Sequence, residues 1–158
     1  MQPWSNFFVA ELGAAATLTG LLFIAVSINL ARILQFPHLP ARGAEALLDL
    51  VSAVIVGTFA LVPHQSAALV GIEIGVTGVF IWGIHTIALI RARKFDRTYV
   101  KLRTRLLVNQ TPSLPYIVAG ALLIAGRTSG IYWVVPGILL SFAAGIFGAW
   151  VLLVEIQR

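Results

Sequence analysis

Between Phe7 and Ala31 the chain carries a single charged side chain, Glu11, among aliphatic, aromatic and small residues. A helix over that run, at ~1.5 Å per residue, exceeds the ~30 Å hydrocarbon layer that ~20 residues suffice to cross. The run has no basic segment before it and is longer than the apolar core of a secretory signal, so it reads as a retained first membrane span.

The pattern recurs. Of the 158 residues, 59% are hydrophobic and 11% charged, with a mean hydropathy of +0.94, more apolar surface than a soluble fold of this size can hide. With no cysteine, disulfides, thiolate metal sites and thiol catalysis are excluded. The spacing of breakers predicts an all-α fold: one polytopic transmembrane helical bundle over 1–158, with spans at about 7–31, 46–62, 67–90, 107–126 and 131–154. Pro37, Pro40 and Gly43 precede the second run, and Pro63, His64, Gln65 and Ser66 form a tight turn between it and the third. The fourth segment is the shortest clean run, Ser113 to Gly126, behind Asn109, Gln110, Thr111 and Pro112. It crosses if 107–112 joins it through a kink; otherwise it is a re-entrant segment beside four spans.

Residues 91–106 are basic. Arg91, Arg93, Lys94, Arg97, Lys101, Arg103 and Arg105 share this stretch with an apolar stripe of Phe95, Tyr99, Leu102 and Leu106. Such a helix lies on the inner surface against anionic lipid, and this accounts for the formal charge of +5 without nucleic acid as a partner. Placing that segment inside leaves one basic residue outside, Arg127 with five spans or Arg158 with four plus a re-entrant segment. The N-terminus is outside in both cases.

Small residues recur at helix-packing intervals. Ala16 and Gly20 on the first span, Gly71, Gly75 and Gly78 on the third, and Gly137, Ser141, Gly145 and Gly148 on the last each form a ridge that allows close backbone approach. Five helices leave some of these ridges without an internal partner, which favours a homo-oligomer. Trp4, Trp82, Tyr116, Tyr132, Trp133 and Trp150 fit an aromatic belt.

Polar residues inside the spans are the candidate functional groups. Glu11 and Glu73 both fall near the outer boundary, where they form a cation-attracting ring in an oligomer or pair with Arg127 or His64. Asn29 shares the azimuth of Glu11, with Ala14, Ala15, Leu18, Leu22 and Ala25 between them, a stripe able to line a hydrophobically gated path. Glu45 and Asp49 read as stabilising the start of the second span, and His85 as a hydrogen-bonded helix contact. Ser27, Ser52 and Ser141 lack a nucleophile context, and His38, His64 and His85 lack ligand spacing, so neither an enzyme, a metal site nor a cofactor is expected.

The string Trp4, Phe8, Gly13 to Ala16, Leu18, Gly20, Leu21, Phe23, Ala25, Ser27, Asn29 and Leu30, together with WVLLVEI from Trp150 to Ile156, resembles a set of uncharacterised small bacterial membrane proteins. Some of these carry an automatic label as modulators of a membrane-anchored AAA protease. The resemblance is confined to the two ends of the chain; it implies a bacterial plasma membrane and assigns no site residue. Two functions stay open. One is an oligomeric channel or permeation pathway for a small ion, with Glu11 and Glu73 at its outer mouth. The other is a non-conducting partner or regulator of another membrane protein.

Overall fold

The computed structural model describes residues 4–36, 39–93 and 110–156, and all of its regular structure there is helical. The elements are α1 (Ser5–Ile28), α2 (Leu30–Ile33), α3 (Leu39–Leu61), α4 (Ala67–Arg93), α5 (Ser113–Ile124) and α6 (Gly130–Ile156). Four of them, α1, α3, α4 and α6, are long and apolar enough to cross a membrane. At 12 residues, or ~18 Å, α5 alone is too short for the full hydrocarbon thickness. Residues 107–109, expected to extend it, lie outside the described residues.

Several boundaries differ from expectation for local reasons. The first run breaks at Asn29, whose side-chain Nδ2 donates to the Ala25 carbonyl at 2.9 Å and closes the end of α1. The second span starts at Leu39, ahead of the expected residue 46, because Pro40 falls in the first turn, where a missing N–H leaves no helical bond unmade. Ser66 caps α4, its Oγ accepting from the Leu69 N–H at 3.2 Å. The short α5–α6 connection begins with Gly126 at φ +75°; the Gly126 and Arg127 amides donate back to the Leu123 and Leu122 carbonyls at 3.0 and 2.9 Å. Hydroxyls along the spans return to their own backbone, as in Thr17 to Gly13, Thr58 to Val54 and Thr77 to Glu73, so lipid-facing helices carry no open donor there.

The helices α3, α4, α5 and α6 pack in a closed square, α3 on α4, α4 on α5, α5 on α6 and α6 on α3, with α1 laid against α3. Neighbours are antiparallel. Leu50 and Ala46 of α3 meet Gly145 and Gly148 of α6, and Tyr116 and Ile117 of α5 meet Gly78 of α4. It follows that α4 and α6 run parallel. The tightest seam is α4 on α5, where Gly71 and Gly75 face Gly120; a Cβ on Gly120 would stand 2.6 Å from the Gly71 carbonyl oxygen. A Cβ on Gly137 would stand 2.5 Å from the Tyr116 ring, which is how that ring reaches the centre. The buried core, including Phe8, Ala15, Val56, Ile74, Tyr116, Leu123 and Ile138, fills the half of the bundle that contains the α3–α4 turn.

Ala16 and Gly20 differ from the other ridges. Ala16 is exposed, a Cβ on Gly20 would meet nothing within 4 Å, and their face of α1 points away from the rest of the protomer.

Candidate functional site: a buried polar column

Along α3, Arg42, Glu45, Asp49 and Ser52 are spaced three, four and three residues apart and therefore lie on one stripe. That stripe faces inward: Glu45, Asp49 and Ser52 are all buried. Each of the other three helices in the square meets it with one polar side chain, His85 from α4, Tyr116 from α5 and Ser141 from α6.

The contacts form two linked groups. His85 Nε2 lies 3.0 Å from Asp49 Oδ1, with the histidine side chain 0% and the aspartate 3% exposed. The Ser52 hydroxyl donates to the Asp49 backbone carbonyl at 2.6 Å, lies 3.2 Å from the Ser141 hydroxyl, and Ser141 in turn lies 3.1 Å from the Tyr116 phenol. The donor order is forced. A carbonyl cannot donate, so the Ser52 proton is committed to it; Ser141 must then donate to Ser52, and Tyr116 to Ser141. Every O–H in the chain points from the α3–α4 turn side toward Asp49, an alignment in which successive bonds polarise and strengthen one another.

Each end of the column carries a further charged group. Toward the start of α3, the Arg42 guanidinium donates to Glu155 Oε1 at 2.6 Å, joining the first turn of α3 to the last turn of α6, with Glu45 between that pair and Asp49. Toward the α3–α4 turn stands Glu11, on α1. Leu12 packs on Gly57 and α1 is antiparallel to α3, which sets Glu11 about 9 Å along the bundle axis from Ser52. Among the buried side-chain atoms without a hydrogen-bond partner in the described residues are Glu11 Oε2, Gln65 Oε1 and His85 Nδ1.

The residues singled out in the sequence fall differently with respect to this column. Glu11 is half-buried beside it. Glu73 is apart from it; both its carboxylate oxygens accept from Gln65 Nε2 at 3.0 Å, so neither Arg127 nor His64 supplies its partner, and no hydrogen bond joins it to Glu11 among the described residues. Asn29 is spent on the end of α1, and the stripe between it and Glu11 is not an open wall, since Ala15 and Leu22 are packed in the core. Ser141, expected as a small packing residue, is a hydrogen-bonding link as well. Gly71, Gly75, Gly78, Gly137, Gly145 and Gly148 stand at or near helix crossings. Tyr116, grouped above with the interfacial aromatics, is 0% exposed at the centre. Arg91 is exposed at the end of α4, which also contains Arg93; Lys94, Arg97, Lys101, Arg103 and Arg105 lie outside the described residues.

Asp49, His85, Ser52 and Tyr116 as a unit were not anticipated. The stripe on α3 was the available signal; what the other helices bring to it depends on their register. Among the described residues no three His, Cys, Asp or Glu side chains group as a metal site. Comparison with protein-family models, curated proteins and solved structures finds no match.

Proposed function

We propose that this chain is a multi-pass protein of a bacterial plasma membrane that provides a permeation pathway for a small ion through the interior of the protomer, with no catalytic step. The observation that carries the reading is the column itself. Four helices each spend buried polar groups on one column of side chains at the centre of the bundle, in a solvent where such groups are costly and mark ion routes. The path lies inside the helical square and not along the outer wall of α1; Glu11 stays at its outer end, and Glu73 and Asn29 are not part of it.

The same reading has the chain crossing five times with its N-terminus outside. What supports five crossings is the parallel course of α4 and α6, with α5 running antiparallel to both between them. What supports the orientation is charge: Arg32, Arg42, Arg91 and Arg93 lie on one side of the bundle, and Arg127 lies on the other. Assembly into a homo-oligomer through the open Ala16 and Gly20 face belongs to this reading too.

The test is ion flux from liposomes containing the purified protein. Glu11→Gln and Ser141→Ala should each reduce flux, the first at the outer end and the second by cutting the hydroxyl chain. Flux no greater than from empty liposomes would sink the assignment.

A non-conducting partner or regulator of another membrane protein, such as a membrane protease, is the second reading. The unoccupied small-residue face of α1 favours it, as does the resemblance of the two chain ends. A stoichiometric second protein after purification in mild detergent supports it, and a lone homo-oligomer counts against it.

A further inference from the structure

Resting on the permeation reading, we infer that the permeating species is the proton and that His85 carries it, receiving it from Asp49 at Nε2 and releasing it from Nδ1. The column is closed to any larger ion. Tyr116 and Ser141 are 0% exposed, Ser52 1%, and Asp49 and His85 each 2%, and their contacts of 2.6–3.2 Å are direct hydrogen bonds. A metal cation shed of its water needs about six oxygen ligands around it. The column offers its oxygens in single file.

A proton needs only the file. Each hydroxyl accepts a proton on its oxygen and passes on the one it held, so a proton reaching Tyr116 from the Glu11 side displaces one from Tyr116 to Ser141, and from Ser141 to Ser52. The Ser52 proton, turned from the Asp49 carbonyl to the same residue's carboxylate, makes the neutral acid. The acid gives its proton to His85 Nε2 as the Nδ1 proton leaves toward the Arg42 side, which restores the carboxylate and leaves the neutral imidazole as its Nε2–H tautomer. One proton has entered and one has left. The hydroxyls now point the other way and a protonated nitrogen faces Asp49, so the cycle is completed by rotation of the hydroxyls back and by a turn of the imidazole ring that presents a bare nitrogen to Asp49 again.

The second, independent observation is on His85. Its Nδ1 is buried without a partner among the described residues, whereas a histidine present for helix contact alone would have both nitrogens satisfied. Its hydrogen-bonded partner is Asp49 from α3, which carries Glu45 one turn away; α5 has Tyr116 as its one ionisable side chain, and the helix of His85 itself carries Glu73 and Arg91, each at least six residues away.

The experiment uses the full chain in liposomes with an enclosed pH-sensitive dye, a potassium gradient and valinomycin to set the voltage, and sodium and potassium flux measured in parallel. His85→Gln is the decisive variant, because the Gln amide can keep a donor for Asp49 but has no second ring nitrogen. The expected result is proton flux in the wild type without sodium or ionophore-free potassium flux, and a fall of about a hundredfold or more in His85→Gln. Proton flux unchanged in a folded His85→Gln overturns the role of His85, and sodium or potassium flux through the wild type overturns the proton while leaving the permeation reading in place. Absence of all flux overturns both. Should His85→Gln fail to fold, 15N spectra of histidine-labelled wild type decide: an Nδ1 that stays in one protonation state across the pH range of transport overturns the inference.

Discussion

His85 and Asp49 are separated by 36 positions in the chain and by 3.0 Å in the bundle, Nε2 to Oδ1, with both side chains withdrawn from solvent. The contact ties α4 to α3, which otherwise share fewer contacts than the other neighbours in the square. Its stability role can be separated from any role in transport.

His85→Leu leaves the Asp49 carboxylate buried without its donor and is expected to cost about 1–3 kcal/mol. The double variant His85→Leu/Asp49→Leu removes donor and acceptor together and should lose less than the sum of the single changes, by more than about 0.5 kcal/mol. Thermal unfolding in detergent measures all three. Additive losses would mean that the two side chains do not act as a pair.

How much of this was legible in the sequence depends on what each residue's neighbours are. The long helices were, because hydrophobic length is a property of a segment by itself, and the turn at Pro63–Ser66 was, because it is local. The start of α3 was misplaced because Pro40 reads as a breaker until it is known to lie in a first turn. The fourth segment could not be resolved from length, since a 12-residue apolar helix lies between what a re-entrant segment and a full span require. In the column, the α3 stripe was readable, yet His85, Tyr116 and Ser141 come from three different helices, and the glycine contacts at Gly78, Gly137 and Gly145 bring them into register.

Those contacts discriminate sharply between glycines. A Cβ on Gly120 would stand 2.6 Å from both the Gly71 oxygen and the Gly75 Cα, backbone atoms that cannot move aside, whereas a Cβ on Gly75 has its nearest neighbour at 3.5 Å. Gly120→Ala should therefore destabilise by about 1–3 kcal/mol through overpacking of α4 on α5. Gly75→Ala should stay within about 0.5 kcal/mol. Equal unfolding temperatures for the two variants would contradict the packing of this seam.

The Arg42–Glu155 pair sets each charge at the unfavourable end of its helix, an arginine in the first turn of α3 and a glutamate in the last turn of α6. Partly exposed at 28% and 32%, the pair contributes at most about 1 kcal/mol. Arg42→Glu alone brings two carboxylates together and should lower the unfolding temperature, less so at high salt. Arg42→Glu/Glu155→Arg restores the pair and also suits both helix dipoles, so it should match or exceed the wild type. A double variant less stable than Arg42→Glu would show that the pair is not the relevant contact.

The outer face of α1 makes the clearest prediction about assembly. Gly13 and Gly20 have open space where a Cβ would be, Ala16 between them is exposed, and among the described residues nothing packs on this face. In lipid, an apolar face gains nothing by being merely covered, so small residues there matter only if another backbone comes close. The chain has no cysteine, which makes an introduced one unique. Ala16→Cys should form a disulfide-linked dimer in native membranes under mild oxidation, whereas Leu21→Cys, exposed on the same helix but about 140° around it, should do so far less. Gly20→Ile, which has room within the protomer, should leave the fold intact and abolish the Ala16→Cys cross-link. Cross-linking that is equal at residues 16 and 21, or that survives Gly20→Ile, would count against a defined contact between copies at this face.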